Sequence, residues 1–340
     1  VVALLFGNSL ALRSTPLHRI YLVLVRVNAA VVRYATASPS VYAMLRWLVP
    51  AFYIAVVSFC LYVFFAEVYP QLRRLGIVGN GHATCIAFTV GMVAVATELA
   101  IFSDPGVLTR AHLDVSVLRY PNNGLIFFGR QCRTCQWQKP ARSKHCSVCD
   151  RCVLRFDHHC IWINNCVGQN NYRWFVAYLV ANIHMMAYGG HLCWRLLAAQ
   201  DRGAGMWRVI VASTPSNKAA GVLMILGTIF SVITLAFAAL HVRYMYLGVT
   251  TNEADKWDEV EYLVQVGALF WAPDMGVYLE RASVSSNGLY RVVYISLDDE
   301  SIVLDENDER THALVQVTLV AELTNRYDRG FWNNVYERIW

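Results

Sequence analysis

Charge is scarce in this chain of 340 residues: only 16% are Asp, Glu, Lys or Arg, against roughly 25% in ordinary soluble proteins. Acids are the scarcer sign over most of the length, with seven before residue 248 and seventeen after it. The sequence has no HExxH, which removes the helical two-histidine site of zinc hydrolases. Neither an internal repeat nor a low-complexity tract stands out, so solenoids and tails of biased composition are set aside. Apolar residues fill the gap at 56%. That is more than one buried core absorbs, and the excess implies a membrane solvent. The net charge of +5 hides a basic body of +15 and an acidic C-terminal part of −10, a split that argues against nucleic acid as a partner.

Four stretches are long enough to cross a bilayer, which takes about 20 helical residues. They are 47–66, 77–102, 174–194 and 219–242, and Glu98 near the end of the second belongs at headgroup level or against other helices. Residues 1–12 are apolar but short, and fit a trimmed additional helix. The arm 13–46 carries five Arg and no acid, with Arg19, Arg26 and Arg33 every seventh residue, as in a helix lying in the membrane interface. The segment 103–173 carries ten Lys and Arg against four acids. The bias of basic loops toward the cytosol places that segment, the arm and the tail 243–340 on the cytosolic side, with the short loops 67–81 and 196–218 opposite. In the tail, Tyr290 to Leu297, Ser301 to Leu304 and Ala313 to Leu319 read as short strands between acidic turns.

Ten cysteines remain to be placed. Cys60, Cys85 and Cys193 lie in apolar runs, while seven crowd into residues 132–166, CRTCQWQKPARSKHCSVCDRCVLRFDHHCIWINNC. A disulfide scaffold does not fit a chain with long apolar spans, whereas CxxC pairs presenting two thiolates to one zinc do. Cys132/Cys135, Cys146/Cys149 and Cys149/Cys152 are all such pairs, so spacing leaves the partition open. Two tetrahedral sites need eight ligands, and the segment offers seven Cys with His145, His158 and His159. Two candidates are left over. In Asp157-His158-His159-Cys160 an acid, an imidazole and a thiol are consecutive, the order that orients a base and activates a nucleophile. His184 and His191, seven apart in the third span, suit polar packing between helices better than a metal site.

The run resembles the cysteine-rich domain of the DHHC protein S-acyltransferases, or palmitoyltransferases. Their pattern CxxCxxxKPxRxxHCxxCxxCxxxxDHHCxWxxNCxGxxNxxxF is met from Cys132 to Phe175. Asp104-Pro105-Gly106 matches the family's DPG motif, Thr250-Thr251-Asn252-Glu253 its TTxE motif, and YDRGFWNN its C-terminal motif, with Asn334 at the characteristic Asn. Ile161 stands where many members have Pro, and this CIW variant is similar to members of the endoplasmic reticulum and Golgi.

The resemblance implies one zinc on Cys132, Cys135, His145 and Cys152 and another on Cys146, Cys149, His159 and Cys166, both structural. It leaves Cys160 as nucleophile, His158 as base and Asp157 to orient His158, with Thr251 supporting Asp157 and Asn334 anchoring the TTxE turn. It also implies palmitoyl-CoA or another long-chain acyl-CoA as donor, with Trp162 and Phe175 at the acyl entrance and Lys139, Arg142 and Lys144 facing the CoA phosphates. The acceptors are cysteines of membrane-associated proteins exposed to the cytosol. The expected fold is an α-helical polytopic membrane protein: a four-helix transmembrane core, a cytosolic double-zinc domain and a small mixed α/β tail. A membrane-anchored zinc adaptor is the alternative, and it would keep the eight ligands without needing Cys160.

Overall fold

The computed structural model describes residues 38–340 except 204, 212–213 and 287–288, together with 19, 22–23 and 26–27. The first twelve residues, Arg33 and most of the basic arm lie outside the described residues, while Arg19 and Arg26 are helical. The chain divides into two units, Val1–Ser58 and Phe59–Trp340. The first contains α1 (Pro39–Leu45) and the larger part of α2 (Leu48–Val63). Its Phe52, Ile54 and Val56 are exposed, as side chains facing lipid must be.

The helix continues past Val63 through a π-helical turn, Phe64–Val68, into α3 (Tyr69–Arg74). Glu67 therefore does not end it: Ser216 Oγ donates to Glu67 Oε2 at 3.1 Å, which gives the carboxylate a partner. Next come α4 (Asn80–Phe102) and α5 (Arg110–Arg119), then the cysteine-rich segment with strands β1 (Lys144–Cys146), β2 (Arg151–Val153), β3 (His158–Cys160) and β4 (Asn165–Val167). After them run α6 (Tyr172–Gln200), α7 (Met206–Val211) and α8 (Pro215–Tyr246).

Among the described residues three helices are long and apolar enough to cross a membrane: Ser40–Arg74, Asn80–Phe102 and Pro215–Tyr246. α6 has the length but carries Arg173, His184, His191 and Arg195. It packs against both α4 and α8. His184 Nε2 meets Thr89 Oγ1 of α4 at 3.1 Å, and a Cβ on Gly227 of α8 would stand 2.8 Å from the Met186 carbonyl oxygen, so only glycine permits that crossing. Away from the cysteine-rich segment, Phe64, Val68, Leu72, Ile86, Leu192, Cys193 and Leu196 belong to one buried cluster.

α9 (Thr251–Gln265) follows α8 after a turn through Gly248, whose φ of +66° and 2.7 Å approach to Asp328 Cα exclude a side chain. The tail then forms β5 (Leu269–Ala272), β6 (Val277–Ser286), β7 (Leu289–Ser296), β8 (Val303–Asp305) and β9 (Val315–Gln316), one antiparallel sheet in the order β8-β7-β6-β5-β9. It ends in α10 (Phe331–Ile339). The sheet is larger than the pieces singled out in the sequence, since it adds β5 and β6 to them. Tyr120, Phe127, Val260, Leu269 and Tyr327 share a buried cluster, which ties the tail to the segment just before the cysteines.

Candidate active site and metal centres

Two hairpins build the metal sets. β1 and β2 pair so that His145 faces Cys152, and β3 and β4 pair so that His159 faces Cys166. In the first set Cys135 Sγ lies 3.4 Å from His145 Nδ1 and 3.7 Å from Cys152 Sγ. In the second, Cys149 Sγ lies 3.4 Å from His159 Nδ1 and 3.5 Å from Cys166 Sγ. All donor atoms of each set, Cys132, Cys135, His145, Cys152 and Cys146, Cys149, His159, Cys166, fall within 4.8 Å of one another. Ligands about 2.3 Å from a tetrahedral zinc stand roughly 3.8 Å apart, so both sets fit the ion. Cys149 and Cys152 go to different sets.

The two sets are the same pattern shifted by 14 residues, since each of 132, 135, 145 and 152 recurs at 146, 149, 159 and 166. This short repeat corrects the impression that the sequence has none. Another shift carries Cys146 onto Cys160, but Cys149 onto Ile163. Cys160 thus occupies the first position of a third set that has no second ligand. The repeat sets Cys160 apart from both sets.

Asp157, His158 and Cys160 are brought together at β3. Asp157 is 1% exposed, and its carboxylate is saturated with donors. Its Oδ1 accepts from His158 Nδ1 at 2.9 Å and Thr251 Oγ1 at 2.6 Å, and its Oδ2 accepts from Thr251 N at 3.1 Å and Arg338 Nη1 at 3.2 Å. Burial works against the charge, but the His158 hydrogen bond and the Arg338 cation hold Asp157 well below the usual carboxylate range. Burial also disfavours charge on His158; its hydrogen bonds to Asp157 and Cys160 outweigh that and raise it to about 9. Cys160 is buried, while Ile161 and Trp162 beside it are exposed.

Phe175, expected at the entrance, is 1% exposed and packs edge-on against His158 and His241, with ring centroids 5.1 Å away in both cases. It fixes the imidazole. His241, buried on α8 with Nδ1 3.0 Å from the Tyr172 hydroxyl, lies close enough to form a cluster with Asp157 and His158. The sequence reading missed His241, since one histidine inside an apolar helix gives no signal of its own.

Two expectations need correction. Arg142 does not face solvent: it is 3% exposed, Nε and Nη2 donate to Glu253 Oε1 and Oε2 at 2.7 and 2.8 Å, and Nη2 donates to Gly248 O at 3.1 Å. The bidentate pair holds Arg142 above even the ordinary arginine value despite burial, and leaves nothing for a CoA phosphate. Lys139 is half-buried and Lys144 exposed, with Lys144 Nζ 5.5 Å from the Phe156 ring centroid. Asn334 does not bond to the TTxE turn. Its Nδ2 donates to Asp328 Oδ1 at 2.7 Å and its Oδ1 accepts from Arg329 N at 3.0 Å, which closes the turn before α10. The side chain that reaches Asp157 is Arg338, one helical turn further on, which also donates to the Val249 carbonyl.

Thr251 reaches Asp157 because α9 starts where it does. Thr250 Oγ1 accepts from Glu253 N at 3.2 Å and Glu253 Oε2 accepts from Thr250 N at 2.9 Å, a complete capping box.

The family model described as DHHC palmitoyltransferase matches residues 126–258. Palmitoyltransferase SWF1 of Debaryomyces hansenii is 42% identical over 350 residues, covering 98% of this chain and 93% of that protein. Palmitoyltransferase SWF1 of Candida albicans is 41% identical over 346 residues, covering 99% and 94%. The protein of the same name from Saccharomyces cerevisiae is 33% identical over 230 residues, covering 66% and 64%.

Proposed function

This chain belongs to the DHHC palmitoyltransferase family and is a protein-cysteine S-palmitoyltransferase, and on that premise we propose that Cys160 carries the acyl group, His158 moves its proton and Asp157 fixes His158. The observation that supports this is the saturated Asp157 carboxylate, which leaves His158 Nδ1 committed to Asp157 and Nε2 the nitrogen that exchanges protons with Cys160. In the first half-reaction His158 takes the Cys160 proton, the thiolate attacks the acyl-CoA carbonyl, and the bond to the CoA sulfur breaks. CoA leaves with the proton from His158. In the second, His158 takes the proton of a substrate cysteine, whose sulfur displaces Cys160 from the thioester, and the departing Cys160 thiolate takes that proton back from His158. One thioester replaces another at each step, so no outside energy source is needed. The proton transfers contribute roughly 10² to 10⁴ in rate.

Two zinc ions on the sets headed by Cys132 and Cys146 would supply structure, since each set closes a tetrahedron and leaves no open position. The loop presenting Asp157 and Cys160 is then fixed at both ends. We further propose four spans, with α6 joining the three apolar helices, and an acyl chain kept among them at about 0.8 kcal/mol for each CH₂ removed from water. Residues 103–173 and the tail then face the cytosol. Exposed Trp162 and Lys144, with Lys139, suit the acyl-CoA approach, and the CIW variant supports the endoplasmic reticulum or Golgi.

Purified protein incubated with labelled palmitoyl-CoA should gain a hydroxylamine-sensitive label, and Cys160→Ser should gain none. Equal labelling of both would remove Cys160 as the nucleophile and favour the adaptor reading.

A further inference from the structure

Near Asp157 lies a pocket that the proposed acyl transfer does not use. It has a volume of about 160 Å³ and is lined by Arg119, Arg155, Arg173, Gln169, Asn170 and Glu337. Arg155 is 4% exposed, and its buried Nη1 makes no hydrogen bond. Its ion-pair partner, Glu337 Oε1, stands 3.5 Å away and also accepts from the Tyr120 hydroxyl at 2.5 Å. Arg119 stands further off, 3.8 Å from the same oxygen and half exposed. Arg173 is exposed, its guanidinium 4.9 Å from the Trp174 ring. The neighbouring cations are spoken for, Arg142 by Glu253 and Arg338 by Asp157. Arg119, Arg155 and, from Nη1 at 4.0 Å, Arg142 all draw on the one Glu337 carboxylate, and the buried Arg155 Nη1 is left without a hydrogen bond. Burial already pushes Arg155 below the ordinary arginine value, with Arg142 and Arg338 adding to the effect.

The missing partner is an anion with several acceptor oxygens, the group that guanidinium forks match. Its level in the molecule identifies the carrier. Arg173 is the second residue of α6, and Asn170 Nδ2 donates at 3.2 Å to Asp104 Oδ2, two residues past the end of the apolar helix α4. The pocket therefore sits where apolar helices give way to polar chain, at the depth of lipid headgroups. The volume is below the ~300 Å³ at which pockets begin to take drug-sized ligands, so it suits a headgroup phosphate better than a nucleotide. We propose that this pocket binds the phosphate of an anionic membrane lipid, with Arg155 at its floor and Arg119 and Arg173 at its rim. The site adjoins the catalytic carboxylate along two routes, since Arg155 precedes Asp157 by two residues and Glu337 precedes Arg338 by one.

Native mass spectrometry of the detergent-solubilised full chain tests this with dioleoyl phosphatidic acid and dioleoyl phosphatidylcholine as probes. The wild type should retain phosphatidic acid in preference. The rim variant Arg119→Gln/Arg173→Gln should bind it about thirtyfold more weakly, the loss expected for two membrane-proximal cations, whereas Arg202→Gln, outside the pocket, should match wild type. Equal retention by the rim variant, or equal loss in Arg202→Gln, overturns the site. Should the rim variant not fold, the wild type still decides by competition: glycerol 3-phosphate should displace phosphatidic acid. Better displacement by coenzyme A would make the pocket a subsite for the acyl donor and overturn the lipid assignment. Absence of any preference for phosphatidic acid over phosphatidylcholine overturns it as well.

Discussion

A buried carboxylate keeps its charge only where donors surround it, and Asp157 draws on its neighbour His158 and on Thr251 and Arg338 from far along the chain. The direct hydrogen bond from Thr251 Oγ1, at 2.6 Å, is the shortest of these. Thr251→Val keeps the shape and removes that bond, a loss of about 1.5–3 kcal/mol for a hydrogen bond to a charge. Thr251→Ser restores the hydroxyl. Acyl-enzyme formation should fall at least tenfold in the first and stay near wild type in the second; two equally slow variants would mean that packing of the methyl matters instead. Arg338→Met leaves Asp157 without its cation, and breaking a buried pair in this way destabilises by about 3–5 kcal/mol. The melting temperature of Arg338→Met should drop sharply, with Arg338→Lys intermediate because an ammonium keeps the charge but loses the fork. At this scale the sequence was legible where residues are neighbours. Asp157, His158 and Cys160 stand within four positions, but Arg338 lies 181 residues from Asp157 and has no local mark. Asn334 was misread for a related reason: a motif names the turn that matters, and only folding decides which side chain of that turn reaches across.

Elements meet at the start of α9. Glu253 serves two partners, closing the capping box on Thr250 and taking both ends of the Arg142 fork from the loop before β1. One side chain therefore sets where α9 begins and fastens it to the zinc-binding segment. Glu253→Met removes the cap and strands a buried guanidinium, so it should cost about 3–5 kcal/mol, and Arg142→Met strands the carboxylate in turn. The double variant Arg142→Met/Glu253→Met strands neither charge and should recover part of that loss. A thermal-unfolding cycle over the wild type, both single variants and the double variant measures the coupling; additive effects would mean that the pair acts independently. The TTxE spacing carries the Thr-x-x-Glu signature of a capping box, so this helix start could have been read from the chain. The Arg142 contact could not, because a basic residue in a zinc segment reads equally well as a surface cation. Apolar runs made the long helices legible, whereas β5 was not, since it has four residues and its pairing with β9 joins strands far apart in the chain.

Across the whole molecule, stability is unevenly supplied. The long helices bury apolar side chains against one another and meet lipid elsewhere, but the cysteine-rich segment has strands of three residues and small apolar clusters, such as Leu108 and Leu154 around Cys132 and Cys152, or Val153 and Phe156 around Cys146 and Cys166. Two-stranded hairpins of that size do not hold themselves together. The two zinc ions proposed for the cysteine and histidine sets would supply the difference, on the order of 10 kcal/mol or more each. Elemental analysis of the purified protein should find two zinc ions per chain, and Cys132→Ala should lose one of them. A strong chelator should then separate the two parts of the fold. Far-UV circular dichroism should keep most of its helical signal, while limited proteolysis opens new cleavage between residues 130 and 170 and acyl-enzyme formation stops. Readdition of zinc should close the cleavage and restore labelling together, because Asp157 and Cys160 lie between ligands of the second set and have no other support of comparable strength. Recovery of labelling while the segment stays open to protease would show that the catalytic loop is held by Thr251 and Arg338 alone.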